Sequence, residues 1–483
     1  MKTLYRVLSD EERHRVHEES LNILENTGVR VETPLGRKIL RDVGADVDDG
    51  NRLVKFPKAL VESSLESICR DFTLSARRPG ADLVFKDGML DGGESVLLPD
   101  GAGLLALDSR TGERRKATYE DWKSATRLSD SLDEIGMYWP AVESSDMAVG
   151  MGNFADHVCR VHRNFSKHVN DGTSTTAQNP WYLEIIQTIF GSKEDIRTKH
   201  PVSHGLYPQS PLIIDKVYTE AYLDLKGWNI PVQIMPMPLM GATAPGTMIS
   251  TVVQGNCEVL AMICLLQANE PGVPIIYAPA LAIMNPRTGL VSDGSMEFSL
   301  MSAAATEMAR YYRLPAESSP GGTDAHVMDL QDGYESAAMQ LASHLAWPDI
   351  VVGPGMLDGS MVSSLEQMYL NVEIFRLARH AHRGIDTSNE KWVMDEIERI
   401  GPAGNYLGER TTVESIKNGE WYLSEIGTHI SFENWTAGDK KDVRSEIREK
   451  VAEILDAYEP LPLGEDVEKE LEKICKRARD SKR

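Results

Sequence analysis

Cysteine is scarce in this chain. Cys69, Cys159, Cys257, Cys264 and Cys475 are scattered over 483 residues, and no two form a CxxC pair. That spacing argues against a zinc ribbon, an iron–sulfur motif or a disulfide framework. HExxH is missing too, since His17-Glu18 is followed by Glu19-Ser20, which disfavours a metalloprotease. A full dinucleotide fingerprint is also lacking. Gly150-Met151-Gly152 has the spacing of two of its glycines, but the third is absent and no clean strand precedes it, so a turn before a helix is the reading. Positive charge is in deficit: 51 Lys and Arg against 73 Asp and Glu give a net charge of −22. Binding phosphates relies on cationic side chains, so nucleic acid is disfavoured, and nothing points to an anionic membrane surface. The start, MKTLYRVLSDEERH, has no apolar run of the kind a secretory leader uses, so a reducing cytoplasm is the default expectation.

The most informative stretch is itself an absence. No charged residue falls between Asn229 and Cys257. A membrane helix would tolerate Pro231, Pro236, Pro238, Pro245, Gly241, Gly246 and Gly255 poorly. A strand at Pro231–Met237, a breaker cluster, a helix at Thr247–Gln267 and a second strand at Pro274–Ala278 fit better. Two continuous apolar strands joined by a helix make a βαβ unit buried on both faces.

The same rhythm recurs. Strand-like runs are expected at Ile135–Pro140, Phe165–Val169, Val202–Tyr207, Pro231–Met237, Pro274–Ala278, Pro315–Ser319 and Asp349–Gly353. They are spaced at roughly 30–45 residues, enough for a strand, a helix and loops. Seven units are visible, and an eighth, expected between Arg383 and Ile426, would close a (β/α)8 barrel. A doubly wound open sheet is the alternative; the regular succession favours the barrel. Ahead of it, Met1–Thr118 reads as an α+β extension. It opens with a capping box, Ser9 and Glu12, on an amphipathic helix, and short strands follow, among them Val96–Leu98. The barrel is assigned to Tyr119–Asn434, and Trp435–Arg483 reads as charged C-terminal helices. The fold class is therefore α/β, a TIM barrel with additions at both ends.

Parallel sheets place their ligand sites at the carboxyl ends of the strands. Tyr138 and Trp139 lie at the first such end, His168, Asn170 and Asp171 at the second, and His204 and Tyr207 at the third. Met235, Met237 and Met240 follow the fourth. Tyr277, Met284 and Asn285 follow the fifth, and Glu317, Asp324 and His326 the sixth. The substrate-binding candidates are Tyr138, Trp139, His168, His204, Tyr207, Tyr277 and Glu317. The catalytic candidates are Asp324 and His326. Together they describe a mouth of rings and methionines with few charges, which suits a small cation held on ring faces. Asp324-Ala325-His326-Val327-Met328-Asp329 is similar to the DxHxxG motif of cobalamin-binding proteins, but Asp329 replaces the glycine. The chain is therefore not expected to hold a corrinoid itself, and no metal ligands are assigned.

Several segments resemble a known family. They are Leu107–Arg115 (LDSRTGERR), Gly241–Ala261 (GATAPGTMISTVVQGNCEVLA), Ile275–Gly289 (IIYAPALAIMNPRTG), Gly321–His326 (GGTDAH), the helix Asp332–Ala342 and Val352–Gln367 (VGPGMLDGSMVSSLEQ). They resemble the trimethylamine and betaine methyltransferases that serve corrinoid proteins, and the likeness covers most of the chain. It implies a (β/α)8 barrel and transfer of a methyl group from an amine to the cobalt of a separate corrinoid protein. The trimethylamine branch carries pyrrolysine in the barrel mouth, whereas this chain uses only the ordinary twenty residues. A quaternary ammonium already bears its charge, so loss of a methyl expels a neutral amine and needs no acid. The expectation is therefore a quaternary amine of the betaine class, such as glycine betaine, proline betaine or carnitine. The partner is a transiently bound corrinoid protein, and a homo-oligomer is compatible. The rivals are a methylcorrinoid-to-pterin transferase, with Asn170, Asp171 and Asn285 reading the pterin, and a non-enzymatic betaine-binding barrel.

Overall fold

The structure, a computed structural model, describes residues 5–99, 101–108, 111–147, 150–320 and 322–481. Ser109, Arg110 and Gly321, which fall within segments quoted above, lie outside them. Eight short strands form the centre: β1 Val96–Leu98, β2 Met137–Tyr138, β3 His168–Asn170, β4 Val202–Leu206, β5 Val232–Ile234, β6 Ile275–Tyr277, β7 Glu317–Ser318 and β8 Ile350–Val352. Neighbours pair in parallel register from β2 to β6: Met137 with His168, Val169 with Val202, His204 with Val232, and Val232 with Ile275. A parallel bridge from Tyr277 to Ala316 joins β6 to β7. Glu317 then pairs with Ile350, and Ile350 with Val96. A last parallel bridge, Leu97 to Ile135, returns to β2 and closes the ring. The fold is the (β/α)8 barrel that the strand rhythm predicts.

One expectation is corrected here. The eighth strand does not lie between Arg383 and Ile426, where the described residues form the helices Met394–Ile400 and Arg410–Lys417 and no strand. It is Val96–Leu98, in a stretch that sequence rhythm alone places in the extension. The chain thus enters the barrel before its first long helix, and β1 closes against the last strand.

Prolines frame many of these strands. Pro201, Pro231, Pro274, Pro315 and Pro348 stand just ahead of β4 to β8. A proline has no N–H to give a ladder, so it suits the first position of a strand. The carbonyls of Pro231, Pro274 and Pro315 still accept ladder bonds, from His204, Val232 and Tyr277.

A helix follows each strand. The one after β5, Met248–Asn269, is long and apolar enough to cross a membrane by length and composition. Here 16 of its residues are buried. The extension helices Asp10–Asn26 and Lys58–Ser67 pack on it from outside, so it is covered on both sides, and a helix so placed is apolar all round. Its one buried acid, Glu258, accepts bonds from Ser210 Oγ and the Leu212 amide.

The antiparallel strands Phe72–Leu74, Leu83–Lys86 and Met89–Leu90 plug the barrel floor. Phe72 and Phe85 stack at 4.9 Å. With Leu74, Leu83 and Leu90 they share one apolar cluster with the interior residues Leu98, Met137, Met235, Ile276 and Ile350. The plug is tied to residues that precede strands: the Ser75 amide bonds to the His200 carbonyl, and the Leu90 amide to Asp349 Oδ1. One end of the barrel is thereby shut, and the carboxyl ends of the strands remain as the mouth. The helices Val443–Ala457 and Glu465–Asp480 pack against the outer helix layer.

Candidate active site at the barrel mouth

Side chains of a strand alternate between faces, and this alternation sorts the candidates. Met137, Trp139, His168, Asn170, Ser203, Tyr207, Gln233, Met235 and Glu317 turn inward. Tyr138 turns outward: its hydroxyl accepts from Trp122 Nε1 at 3.1 Å, on the helix Tyr119–Ser131, and its ring meets Phe165. Tyr277 also turns outward, its hydroxyl donating to Asn256 Oδ1 at 2.9 Å while the ring lies against Tyr312. His204 faces the helix side too, with its ring edge-on to Tyr222 and Nε2 against the main chain of Thr173. Tyr138, Tyr277 and His204 therefore hold the barrel to its helices, and as substrate contacts they are corrected. His204 leaves so little room that a Cβ on Gly172 would fall 2.2 Å from its ring.

The remaining candidates meet inside. His168 Nε2 contacts Ser203 Oγ at 2.9 Å, and Ser203 donates to Asn170 Oδ1 at 2.9 Å. Asn170 Nδ2 donates to Gln233 Oε1 at 2.6 Å, and Gln233 Nε2 donates to Glu317 Oε1 at 2.5 Å. This polar girdle spans four strands from β3 to β7. Burial pushes His168 down to about 3, so its imidazole is neutral at neutral pH. Burial pushes the Glu317 carboxyl up to about 8. Among the described residues its second oxygen, Oε2, has no hydrogen-bond partner. A buried unpartnered acid is stable only in its neutral form unless a positive charge comes near.

Above the girdle is a cavity of about 510 Å³, lined by Trp139, Tyr207, Met235, Met237, Phe298 and Asp293 among others. The Trp139 and Tyr207 rings are nearly parallel, 6° apart with centroids at 6.1 Å. The backbone at Gly101 lies against the indole, where an added Cβ would approach to 3.1 Å. Gly205 makes room for Tyr207, since a Cβ there would sit 2.1 Å from the phenol oxygen. The described lining residues include no lysine, arginine or histidine.

Asp324 and His326 sit on the loop above β7. Asp324 accepts from Ser292 Oγ at 2.7 Å and from the Asp293 amide at 2.8 Å, so it braces the loop that carries Asp293 into the cavity. His326 is on the rim, with its side chain 77% exposed and Nδ1 2.5 Å from Asp358 Oδ1. Arg114 pairs with the other oxygen of Asp358 at 2.5 Å. Among the described residues no cluster of three or more His, Cys, Asp or Glu could hold a metal ion.

Gln233, Asp293 and Phe298 are the residues that sequence reasoning passed over. Gln233 had a signal, an amide inside an otherwise apolar strand. Asp293 had a weaker one, as the lone acid between Arg287 and Glu297.

Other cavities lie elsewhere; one of about 550 Å³ is lined by Lys123, Arg127, Arg163 and Glu468. A groove of about 800 Å³ runs between the helices Asp10–Asn26 and Met248–Asn269. A recess of about 630 Å³ lies outside β2 and β3, near Trp122 and His157. All are larger, but none is lined by the inward-facing side chains Trp139, Tyr207 and Met235, which line the cavity at the carboxyl ends of the strands, where barrel enzymes work.

The molecule is thus a closed (β/α)8 barrel, plugged below and open above to an aromatic cavity whose described lining residues include no lysine, arginine or histidine. The sequence matches the trimethylamine methyltransferase (MTTB) family over residues 2–482. The chain belongs to that family and is a methyltransferase. It is 30% identical over 475 residues to trimethylamine methyltransferase MttB of Desulfitobacterium hafniense strain DSM 10664 / DCB-2, covering 98% of this chain and 94% of that one. It is 27% identical over 470 residues to a glycine betaine methyltransferase of Desulfitobacterium hafniense strain Y51, covering 97% and 96%. Trimethylamine methyltransferase MttB of Methanosarcina barkeri strain Fusaro / DSM 804 is 26% identical over 478 residues, covering 98% and 95%.

Proposed function

We propose that this enzyme moves a methyl group from a quaternary amine to the cobalt of a corrinoid carried by a separate protein. The supporting observation is the mouth itself: paired rings of Trp139 and Tyr207, methionines beside them and acids below, with no cationic side chain among the described lining residues. Such a surface welcomes a positively charged methylammonium head and offers it no competitor.

The chemistry asks little of the protein. The reduced cobalt supplies the nucleophile. As it attacks one methyl carbon, the carbon–nitrogen bond breaks and its electron pair stays on nitrogen. A neutral tertiary amine leaves, so no side chain must deliver a proton. The positive charge on nitrogen fades on the way to the transition state, so ring contacts bind substrate without by themselves speeding the step. The rate gain comes from holding one methyl in line with the approaching cobalt and excluding water. The plug of Phe72 and Phe85 closes the far end, which leaves the mouth as the route for both reactants.

The corrinoid protein docks over the mouth, on the loops Gly241–Thr247, Met284–Thr288 and Gly355–Ser360. His326, Arg114 and Asp358 lie on this rim, where charges steer association more than they alter chemistry. The pterin alternative loses support because its candidate reading groups are engaged within the protein. Asn170 is bound to Gln233 and Ser203, Asn285 Oδ1 accepts from the Arg287 amide, and Asp171 pairs with His157.

The test uses the purified chain, a panel of methylated amines and free cob(I)alamin, with and without a corrinoid protein, following loss of the Co(I) absorbance. Methylation with quaternary amines and not with trimethylamine is expected. Turnover by the chain alone with its own tightly bound corrinoid, or no methylation from any amine, overturns the proposal.

A further inference from the structure

We infer that Cys159 and Cys475 form a redox-sensitive pair: a hydroperoxide joins them in a disulfide that locks the last helix of the chain onto the barrel wall. The pair lies in the outer helix layer and takes no part in the mouth. Cysteine spacing argues against a disulfide framework, but spacing does not say which cysteines the fold brings together.

The two residues are 316 positions apart, yet their sulfurs lie 3.3 Å from one another. Cys159 is on the helix Met151–Asn164, which follows β2, and Cys475 is on the C-terminal helix Glu465–Asp480. Both are buried. Cys475 belongs to the one buried stripe of its helix, with Leu471, Ile474 and Ala478. Ion pairs fix the helices on either side of the sulfurs. Arg163 donates to Glu468 through Nε and Nη2, at 2.9 and 2.7 Å. At the other end Arg479 Nη1 donates to both oxygens of Asp156, at 2.6 and 2.7 Å. Gly152 lets the helices approach there, since a Cβ on it would fall 2.8 Å from the Arg479 Cα. A disulfide needs its sulfurs about 2.05 Å apart, so the contact has to close by about 1.2 Å, which small side-chain rotations supply.

The two thiols are not equivalent. A hydrogen bond from Cys159 holds Cys475 below its ordinary value, and Arg163 adds to the effect. The same bond and burial push Cys159 up. The thiolate is the nucleophile, so Cys475 reacts first. It attacks one peroxide oxygen, the O–O bond breaks, and hydroxide leaves and is protonated to water. Cys475 becomes a sulfenic acid. The Cys159 sulfur then loses its proton and attacks the Cys475 sulfur, and the hydroxyl group leaves with that proton as a second water. Two thiols are oxidised and one peroxide is reduced. Peroxide is small enough to reach sulfurs that a bulkier oxidant cannot, and the helix ends close to the chain terminus, where local opening is easiest.

The test treats the purified chain with hydrogen peroxide, alkylates free thiols in denaturant and maps the peptides by mass spectrometry. The peptides of Cys159 and Cys475 should appear joined, lighter than their sum by two hydrogens, with Cys257 and Cys264 alkylated. A thiol reductant should release them. The oxidised chain should melt about 2–4 °C above the reduced one, because the bond restricts the unfolded chain. Cys159→Ala and Cys475→Ala, each folded by circular dichroism, should lack both the link and the rise. Cys69→Ala, which removes the least buried thiol, should keep both. Peroxide that leaves Cys159 open to alkylation, or links either residue to another cysteine, overturns the pairing. A link that forms without raising Tm overturns the lock.

Discussion

Replacing Glu317 with glutamine should make the protein more stable, and more so as the pH rises. Burial pushes this carboxyl up to about 8 from an ordinary value of 4.5. The unfolded chain releases its proton above pH 4.5, whereas the folded chain holds it until about pH 8. Folding is therefore undiminished by this group below 4.5, loses stability as pH climbs through that window and levels off above it. Each pH unit inside the window costs about 1.4 kcal/mol. Between pH 5 and pH 8 the loss is on the order of 4 kcal/mol. Glutamine has no proton to lose, and its amide oxygen keeps the acceptor that Gln233 uses at 2.5 Å. At about 2.1 cal/mol/K per residue, unfolding a chain of 483 residues carries an entropy of about 1 kcal/mol/K. The gap in Tm between Glu317→Gln and the parent should therefore widen by about 4 °C from pH 5 to pH 8. Other carboxylates titrate alike in both proteins and cancel in the comparison. A gap that stays constant within about 1 °C would refute the burial of an unpaired acid at this position. A bound quaternary cation works in the opposite sense, drawing the Glu317 proton off, so ligand binding near pH 7 should release protons in the parent and not in the variant.

Losing a ring from the mouth should weaken substrate binding by roughly thirtyfold, the equivalent of about 2 kcal/mol for a desolvated cation on a ring. Trp139→Ala and Tyr207→Ala, assayed as the Kd of a quaternary amine, check this. Tyr138→Phe and Tyr277→Phe should leave kcat/KM within about threefold and cost about 1 kcal/mol of stability each, the worth of the lost hydroxyl bonds to Trp122 and Asn256; a hundredfold loss of activity would return those rings to the mouth. Gly205→Ala should displace the Tyr207 ring and raise KM with the fold intact by circular dichroism. Arg114→Glu and His326→Gln should slow association with a corrinoid protein and leave methylation of free cob(I)alamin within about threefold.

The strands were legible because each is a short apolar run framed by breakers, and seven of the eight coincide with such runs. The eighth was hidden by its neighbours. Val96–Leu98 looks like the small antiparallel strands before it, and only its pairing with Ile350–Val352 assigns it to the barrel. The direction each side chain faces was less legible still. Tyr138 and Trp139 are adjacent, so one must point in and the other out, and strands of two or three residues are too short for alternation to reveal which. Polar residues inside apolar strands carry a signal that was used for Glu317 and missed for Gln233. Glu317 and Gln233 interrupt apolar strands, which costs free energy unless they meet a partner, and they meet each other. Asp293 had only a weak signal, because its place depends on a loop folding back from beyond β6, held by a bond to Asp324 on the loop after β7.

The closure of β1 against β8 binds the assembly of this enzyme to the order of its chain. Ser95 bonds to the carbonyl of Pro348, 253 residues away. During synthesis β1 emerges early and must wait for its partner until most of the chain has followed. Until then β1 and β2 carry an open parallel edge that any passing strand could occupy. Contacts so distant in sequence are slow to form, and the mouth is complete only with that last pairing. Removing the first 98 residues would therefore do more than trim an appendage: it would take out one stave and the floor together, and leave the other seven open at a seam.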